Sequence, residues 1–349
     1  MAESLLVDAL RSLSAGFDLS IEQARRAILE VIEGRAGDVE TSAFLTALSM
    51  KEVTSDELAG AVEAVRERMA PFEVDAELGP LLDTCGTGGD SAHSINVSTA
   101  AAIVIAACGV KVAKHGNRSS SGNSGSAEVL SELGIEIETS DDVLRRCLDT
   151  IGLAFFFAPR FHPGFKHAAE VRKRLPFRTL FNLIGPMANP ARPSFQLLGV
   201  PDEARAELLA ATLSRLGSIQ RAAIVFGEDG LDEVTLSGPT QVFWLESVTS
   251  NAAEIRRFRW TPRDFGLPIV PKESLRVSGP AESAWRLNQL LLGVRGPDRD
   301  VVSANAAAGL LVSGRATDLR EAVGIASKAI DSGEAFRLLN RWRTLTKSP

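Results

Sequence analysis

The sequence predicts an α/β protein with a small all-helical domain and a larger α/β domain built on a mostly parallel central sheet. Two observations support this fold class. The first 70 residues have apolar positions at helical spacing and few glycines, whereas from residue 81 short β-rich runs alternate with helical segments. Such alternation is typical of parallel strands joined by helices. Residues 71–80, PFEVDAELGP, separate the two patterns and indicate a linker.

Composition limits the class of protein. The 349 residues are 45% hydrophobic, enough for one or two domains with a sizeable core. The formal net charge of −6 argues against a nucleic-acid binder, because affinity for a phosphate backbone needs a broad excess of Lys and Arg. Three cysteines without metal-ligand spacing suit reduced thiols, and no apolar run reaches the roughly 18 residues of a membrane span. We expect a cytoplasmic protein that binds neither membranes nor nucleic acid.

Four amphipathic helices are predicted in the first 70 residues. Ser20 with Gln23, and Thr54 with Glu57, match the capping box, which marks a helix start. After the linker, strands are predicted at LLDTC, VKVA and LAFFFAP, and helices at STAAAIVIAACG and GSAEVLSELG. The chain then returns to basic helix over 163–190, forms strands at AAIVFG and EVTL, and ends in a helical tail over 281–346.

The stretch GTGGD, residues 86–90, follows the strand LLDTC and leads towards an alanine-rich helix. Three glycines in four positions let backbone amides approach an anion closely, and a helix start adds its positive dipole end. This pattern suits a phosphate cradle, although it matches neither G-x-G-x-x-G nor a Walker A loop. A glycine-rich turn without a ligand is the alternative that this motif alone leaves open.

Three polar side chains, Asn96, Ser98 and Thr99, lie where that helix begins. Capping of the helix explains one of them, since Asn, Ser and Thr are common at helix starts. Three together beside a glycine turn favour a ligand, and the Ser98 hydroxyl is also a suitable oxygen for Mg²⁺.

The stretch KHGNR, residues 114–118, follows the predicted strand VKVA and precedes a loop of Ser, Gly and Asn. We expect it to emerge at the carboxyl end of the strand, where ligands bind in open α/β sheets. Lys114 suits a phosphate as a point charge, whereas His115 and Asn117 suit orientation of a substrate by hydrogen bonds. The loop then predicts a lid. An exposed basic turn before a flexible loop is the alternative.

An acidic pair, Asp232 and Glu233, lies between a turn and the predicted strand EVTL. Adjacent carboxylates suit one or two Mg²⁺ ions, although a pair taken alone also fits surface charge. Arg172, in the basic helix, suits a substrate carboxylate, with a solvated helix face as the alternative. His93, His162 and His167 are too isolated to indicate metal ligands, and no spacing indicates a covalent nucleophile. The pattern therefore predicts a transfer reaction that depends on phosphate binding and Mg²⁺.

The motifs occur in one order: GTGGD with NVST, KHGNR with SGSAE, HP-x(8)-R, NLIGPMANP and GLDE. In this order they resemble the anthranilate phosphoribosyltransferases, and the similarity extends over nearly the whole chain. The resemblance implies a fold that this family shares with the pyrimidine nucleoside phosphorylases. Residues 1–72 would form a small helical domain, completed by a helical insert at about 163–192. Residues 78–162 and 196–349 would form the large α/β domain. The N-terminal helices would make a homodimer.

The reaction that the resemblance implies joins the amino group of anthranilate to C1 of 5-phosphoribosyl 1-pyrophosphate and releases pyrophosphate, a step towards tryptophan. No covalent nucleophile is expected. Mg²⁺ and Lys114 would stabilise the departing pyrophosphate, because negative charge develops there. The arylamine is already unprotonated at neutral pH and needs orientation more than a base.

The resemblance also assigns roles residue by residue. The residues that would bind the phosphoribosyl donor are Gly86, Gly89, Asp90, Ser94, Asn96, Ser98, Thr99, Lys114, His115, Gly116, Asn117, Arg118, Ser119, Ser120, Ser121, Gly122 and Ser126. Those that would bind or line the path of anthranilate are Gly86, Asn117, Arg172, His115, His162 and Pro186. Those that would hold one or two Mg²⁺ ions are Ser98, Asp232 and Glu233.

Three segments depart from the family pattern: GPMANP stands for the more common GPLTNP, Glu128 for Asp, and the loop lacks a lysine near position 123. Two other functions are alternatives. A pyrimidine nucleoside phosphorylase of the same fold should carry a lysine-serine-glycine-arginine motif in place of GTGGD and KHGNR. A non-catalytic paralogue that binds nucleic acid should show a basic surface and an eroded acidic pair.

Overall fold

The computed structural model describes residues 4–88, 92–118, 125–249 and 252–347. Its strands are β1 (Leu82–Gly86), β2 (Val112–Gly116), β3 (Leu153–Phe157), β4 (Phe195–Gly199), β5 (Arg221–Gly227), β6 (Thr240–Thr249) and β7 (Ala252–Trp260). Its first helices are α1 (Leu5–Ser14), α2 (Ile21–Ile32), α3 (Asp38–Lys51), α4 (Ser55–Arg68), α5 (Val97–Ala107), α6 (Ser126–Glu132), α7 (Asp141–Ile151) and α8 (Ala158–Phe161). The later ones are α9 (Lys166–Arg174), α10 (Phe181–Ile184), α11 (Glu203–Leu216), α12 (Pro262–Phe265), α13 (Pro280–Leu291), α14 (Pro297–Val312), α15 (Leu319–Asp331) and α16 (Glu334–Lys347).

The seven described strands form one sheet in the order β3-β2-β1-β4-β5-β6-β7. Strands β1 to β5 pair in parallel, whereas β6 and β7 add an antiparallel edge. Parallel strands are usually covered by helices on both faces and are therefore mostly apolar, and β3 is buried throughout. The predicted fold class is therefore confirmed. Because β1 lies between β2 and β4, the carboxyl ends of these three strands are neighbours.

The small helical domain begins with α1 to α4, as the sequence predicted. Both capping boxes are present: the Gln23 amide donates to Ser20 Oγ at 3.3 Å, and the Ser20 amide donates to Gln23 Oε1 at 2.9 Å. Thr54 and Glu57 bond in the same way. Each box satisfies two backbone amides that a helix start leaves without an intrahelical partner.

The helical segment predicted after β3 is also present, but it consists of several short helices. A 3₁₀ turn (Pro163–Phe165), α9 and α10 lie against α2, α3 and α4. The core beneath these helices is continuous with one face of the sheet, since it includes Leu198 of β4 and Ile224 of β5. This packing agrees with an insert at about 163–192, although the domain limits themselves stay a prediction.

Two local predictions are wrong. The strand VKVA continues through Gly116, so Lys114 and His115 lie inside β2 and do not follow it. The segment EVTL, 233–236, is not a strand. Side chains satisfy its backbone instead: the Val234 amide donates to Asn305 Oδ1 at 2.9 Å and the Thr235 amide to Thr240 Oγ1 at 3.0 Å.

The C-terminal tail is helical, as predicted, and consists of α13 to α16. In the described part of the chain, no helix is both long enough and apolar enough to cross a membrane.

Candidate functional site

Glycines end three neighbouring strands, and each lies where another segment approaches. A Cβ atom at Gly199 would lie 1.7 Å from the Asp232 carbonyl oxygen, and one at Gly116 would lie 2.3 Å from Ser126 Oγ. A Cβ at Gly86 would lie 3.2 Å from Asp232 Oδ2. Close backbone approach is a common reason for glycine in a strand. We call this region the donor edge, after the phosphoribosyl donor that the resemblance implies.

Lys114 is buried at the donor edge, with 2% of its surface exposed. Its Nζ atom donates to the Thr84 carbonyl at 2.5 Å and to Ser98 Oγ at 3.1 Å. Burial lowers the pKa of the Lys114 ammonium, and the negative charges of Asp83 and Glu233 oppose that shift. The side chain thus joins β1, β2 and the start of α5, which explains why it lies inside the strand rather than beyond it.

The negative charge of Asp83 balances the positive charge of Lys114. Sequence reasoning missed this residue. It is fully buried in β1, and its Oδ1 accepts the His115 amide at 3.2 Å while its Oδ2 accepts Asn189 Nδ2 at 2.9 Å. Burial raises the pKa of the Asp83 carboxyl to about 6, against the effect of the Lys114 charge. A lone acid inside the apolar run LLDTC was the available signal, since a buried charge needs a partner.

The start of α5 brings predicted residues together. Asn96 Oδ1 accepts the Thr99 amide at 3.2 Å, so capping accounts for Asn96. The Ser98 amide donates to Glu233 Oε1 at 3.1 Å, and Ser98 Oγ accepts from Lys114. Thr99 is fully buried, so its side chain as placed exposes no atom to a ligand.

Helix α14, which lies far along the chain from Asp232 and Glu233, holds the acidic pair in position. Asn305 of α14 is fully buried, and its Nδ2 donates to the Val234 carbonyl at 2.9 Å while its Oδ1 accepts the Val234 amide. This reciprocal bond fixes the backbone next to Glu233. Sequence reasoning missed Asn305, although a single amide within the alanine-rich run SANAAAG was a signal.

The oxygen atoms at the donor edge fit Mg²⁺ chemically. Mg²⁺ prefers oxygen ligands and usually takes one or two protein carboxylates, and Asp232, Glu233 and Ser98 supply such atoms. The carboxylate of Asp232 lies against Gly86, at the glycine turn where phosphates are expected. Among the described residues, no group of three or more His, Cys, Asp or Glu side chains could hold a metal ion.

Two histidines that the sequence separates by 47 positions meet beside the donor edge. His162 Nε2 lies 3.3 Å from His115 Nε2, and His115 Nδ1 donates to the Gly185 carbonyl at 3.1 Å. Because a neutral imidazole carries one proton, this bond leaves His115 Nε2 as an acceptor, and His162 Nε2 donates to it. Burial lowers the pKa of His115 to about 3 and that of His162 to about 4. Both rings are therefore neutral near pH 7.

An aromatic row continues from this pair to Arg172. It consists of His162, Phe165 and Phe181. The rings of His162 and Phe165 stack at 5.4 Å, and Phe165 meets Phe181 edge to face at 5.3 Å. Arg172 Cζ lies 5.2 Å from the centre of the Phe181 ring. Arg172 is half-buried, burial lowers the pKa of its guanidinium, and no described carboxylate forms an ion pair with it.

Of three further predicted residues, Pro186 is buried, whereas Asn117 and Arg118 are exposed. Pro186 is buried in a 3₁₀ turn (Gly185–Met187) beside this row. Asn117 is exposed, and its Oδ1 accepts the Arg118 amide at 2.7 Å. Arg118 is also exposed, with Nη2 at 3.9 Å from Glu138 Oε1 and Cζ at 5.6 Å from the Phe157 ring centre.

Ser94 forms an isolated antiparallel β-bridge with Arg276. The bridge ties the segment before α5 to the one that precedes α13. Arg178, which the sequence did not single out, donates from Nη1 to the Gly88 carbonyl at 2.7 Å and so bonds the glycine turn from the helical segment. Six predicted residues lie outside the described ranges, namely Gly89, Asp90, Ser119, Ser120, Ser121 and Gly122.

Comparison with known proteins agrees with both parts of the fold. The family described as glycosyl transferase family, a/b domain, matches residues 78–336, and the glycosyl transferase family, helical bundle domain, matches residues 7–69. The anthranilate phosphoribosyltransferase of Methylorubrum extorquens (strain PA1) is 46% identical over 332 residues, which are 95% of this chain and 96% of that protein.

Solved structures agree as well. The anthranilate phosphoribosyltransferase of Thermus thermophilus is 37% identical, with a TM-score of 0.88 over 98% of this chain and 100% of that one. That of Saccharomyces cerevisiae, in complex with PRPP and Mg, is 28% identical, with a TM-score of 0.88 over 100% and 99% of the two chains. The yeast protein has also been solved with 4-fluoroanthranilate. Matches of this identity along nearly the full length show that the chain belongs to the anthranilate phosphoribosyltransferase family.

Proposed function

We propose that this chain transfers the phosphoribosyl group of 5-phosphoribosyl 1-pyrophosphate to the amino group of anthranilate, releasing pyrophosphate, within tryptophan biosynthesis. The observation that carries the proposal is the meeting of Lys114, Ser98 and Glu233 at one edge of the sheet. A buried cation, a helix start and a carboxylate there suit a phosphorylated donor bound with Mg²⁺. Membership of the family supports the same reaction.

On the donor side, the glycine turn would bind the phosphates through backbone amides. At the start of α5 the Ser98 and Thr99 amides already bond Glu233 and Asn96, so that helix start would contribute through its dipole. Lys114 would act through its charge, because its hydrogen bonds direct it at Thr84 and Ser98. A desolvated positive charge at this position favours the negative charge that develops on departing pyrophosphate. Gly86 and Gly88 leave room for an anion, and Gly88 has a φ of 64°, which favours glycine.

Asp232, Glu233 and Ser98 would hold Mg²⁺. When bound, the metal neutralises charge on the pyrophosphate and so makes it a better leaving group. The chain's own contribution is to fix these oxygen atoms: Ser98 through Lys114, and the backbone beside Glu233 through Asn305. The yeast relative with PRPP and Mg supports a need for the metal in this chain, and we propose one or two ions.

On the acceptor side, Arg172 would bind the carboxylate of anthranilate, and the aromatic row would pack against its ring. A guanidinium without an ion pair among the described residues suits a carboxylate substrate, which it can bind in bidentate geometry. His115 and His162 would line the path as neutral rings. Their low pKa values make them weak bases, so they would orient the acceptor rather than deprotonate it.

A direct assay tests this function. Anthranilate is fluorescent, so its loss can be followed when the protein is mixed with 5-phosphoribosyl 1-pyrophosphate and MgCl₂, with pyrophosphate release measured in parallel. We expect both signals, and we expect neither when the donor or the metal is omitted. Failure to consume anthranilate at any donor concentration would refute the proposal. Neither alternative function is favoured. The motifs GTGGD and KHGNR are present where a pyrimidine nucleoside phosphorylase should carry a different motif, and the intact acidic pair and net charge of −6 oppose a nucleic-acid-binding paralogue.

We also propose a cytoplasmic homodimer. All three cysteines are free and buried, which suits a reducing compartment. The outer face of α3 exposes Val39 (78%) and Met50 (82%), and Phe17 before α2 is 67% exposed. Large exposed apolar side chains on one surface are typical of an interface. Sedimentation of the wild type and of Val39→Glu with Met50→Glu tests this, since only the variant should sediment as a monomer.

A further inference from the structure

Three successive backbone carbonyls in one short turn are each bonded by a side chain from a different element. The turn is Gly185, Pro186, Met187 and Ala188, here called the acceptor turn. The Gly185 carbonyl accepts from His115 of β2 at 3.1 Å. The Pro186 carbonyl accepts from Gln196 Nε2 of β4 at 2.6 Å, and the Met187 carbonyl accepts from Arg66 Nε of α4 at 2.8 Å. Three side chains therefore fix this backbone, in addition to the turn's own bond from the Ala188 amide to the Gly185 carbonyl at 3.2 Å.

Arg66 makes this bond without a carboxylate partner. Its Nη1 donates to Ser218 Oγ at 3.1 Å, and no described Asp or Glu forms an ion pair with it. Burial lowers the pKa of its guanidinium to about 10; the charge of Arg192 adds to that shift and the charge of Glu63 opposes it. The side chain is half-buried, and a cation that loses water without forming an ion pair lowers stability, which favours a role for its bond to the turn.

Gln196 repeats this pattern from the sheet. It is 1% exposed, and its Nε2 donates to the Pro186 carbonyl and to Cys85 Sγ at 3.4 Å. Its Oε1 is buried and has no hydrogen-bond partner in the described part of the chain. A buried amide with one end unsatisfied is also unfavourable for stability. Gln196 thus has a buried oxygen without a hydrogen bond, which lowers stability, while its Nε2 atom bonds the acceptor turn.

The turn has little room to move and differs from the usual family segment. Behind it, the cavity bounded by Arg66, Gln196 and Asn189 has a volume of only about 10 Å³. Met187 and Ala188 are 2% and 0% exposed, and they stand where GPLTNP is more common. The buried turn has little free volume around it, and its carbonyls are bonded by side chains of neighbouring elements.

We infer that Arg66 and Gln196 are positioning residues that fix the acceptor turn as one wall of the anthranilate pocket, Arg66 from the helical domain and Gln196 from the sheet. This inference rests on the proposed function, because the pocket is defined by that substrate. The same turn supplies the carbonyl that orients His115, so its displacement would also turn that ring. Loss of either bond should weaken the binding of anthranilate and make that binding less specific, while the donor edge stays intact.

Steady-state kinetics of Arg66→Met, Arg66→Lys and Gln196→Met test the inference. We expect Arg66→Met and Gln196→Met to raise the KM for anthranilate about fivefold and the KM for the donor by less than about twofold, since one hydrogen bond contributes on the order of 1 kcal/mol. Arg66→Lys should recover part of the loss because it keeps a donor. Ring-methylated anthranilates should be discriminated less strongly by both Met variants. A variant that only lowered stability would not show this relaxed specificity.

Arg68→Met is the matched control. Arg68 lies two residues away at the end of the same helix, exposed, with its Nε bonded to Glu33 Oε1 at 2.6 Å. It should change neither KM. The inference is overturned if the KM for anthranilate stays at the wild-type value in both Arg66→Met and Gln196→Met, if both KM values rise together, or if Arg68→Met behaves in the same way.

Hydrogen exchange of the peptide over 181–192 separates failure of this inference from failure of the proposed function. We expect faster exchange in Arg66→Met and Gln196→Met than in wild type or Arg68→Met. If the wild type makes no product but exchange still rises, the function fails and the positioning of the turn stands. Unchanged exchange in both variants overturns the positioning role whatever the activity.

Discussion

The donor edge and the acceptor side of the candidate site are built in different ways. The donor edge consists of strand ends and one helix start, joined by bonds between buried charged groups such as Lys114, Asp83 and Glu233. The acceptor side consists of short helices and a 3₁₀ turn, where aromatic rings surround the half-buried Arg172. The first has charges that neutralise one another, whereas the second contains a guanidinium without an ion pair in the described chain.

This difference follows from what each substrate needs. A pyrophosphate that departs with increasing negative charge is stabilised by fixed, preorganised charges, so rigid strand ends suit it. An aromatic acceptor needs apolar walls, one carboxylate partner and a path of entry. The two sides should therefore fail separately when mutated, and the following changes test that separation.

The largest effect is expected at Lys114. Lys114→Met removes the positive charge between β1, β2 and α5 and leaves Glu233 and Asp83 without its balance. We expect kcat/KM for the donor to fall about 10²-fold to 10³-fold, as for other groups that stabilise developing charge. Lys111→Met, just before the start of the same strand, is the control. A loss of less than about threefold in Lys114→Met would show that its charge does not serve the reaction.

The next effect concerns the acidic pair. Asp232→Asn with Glu233→Gln removes both carboxylates but keeps their size. The Mg²⁺ concentration for half-maximal rate should rise at least about tenfold, while the KM for anthranilate stays within about twofold. Titration of activity with MgCl₂ measures this. Glu228→Gln, a nearby acid that bonds Arg259, should leave the titration unchanged. Equal Mg²⁺ titrations for the double variant and wild type would contradict the assignment.

Arg172 tests the acceptor side by itself. Arg172→Gln should raise the KM for anthranilate at least about tenfold, because a charge-assisted hydrogen bond to a carboxylate contributes about 1.5 to 3 kcal/mol. The KM for the donor should remain within about twofold. Arg174→Gln, exposed on the same helix, is the control. Parallel increases of both KM values would mean that the two sides do not act separately.

The smallest effect is a pH dependence of stability at His162. Burial lowers the pKa of His162 to about 4 in the folded state, whereas an unfolded histidine titrates near 6.5. Below pH 6.5 the unfolded chain binds more protons, so the free energy of unfolding decreases as the pH falls towards 4. His162→Gln removes the part of this pH dependence that comes from His162. The loss of stability between pH 7.5 and pH 5 should be smaller in the variant by about 1 to 2 kcal/mol.

Urea denaturation at the two pH values measures this difference. Asp83 acts in the opposite direction: burial raises the pKa of its carboxyl to about 6, so its share of stability increases as the pH falls from 6. It is present in both proteins and cancels from the comparison. His167→Gln, an exposed histidine on α9, is the control. An identical pH dependence in wild type and His162→Gln would mean that the folded pKa of His162 is not lowered.

Local patterns in the sequence predicted much of the donor edge. KHGNR and the beginning of GTGGD lie at one edge of the sheet, because they occur where neighbouring parallel strands end. Ser98 and Glu233 also meet there, as the family resemblance implied. The capping boxes and the helical tail were predicted because helix signals involve residues only three or four positions apart. The strand at EVTL was wrong because Asn305, 71 residues from Val234, replaces the strand pairing that the pattern implied.

The sequence by itself determined the fold class, because the alternation of helices and strands depends on short-range periodicity. The residues of the two substrate sides came from short motifs and the family resemblance, and their roles stay predictions. Only the tertiary structure decided that Lys114 is buried between three elements, that His115 bonds His162, and that Arg66 and Gln196 bond adjacent carbonyls of one turn. These contacts join segments tens to more than a hundred positions apart. No local pattern encodes them, since they form only when the helices close over the sheet and exclude water from their polar groups.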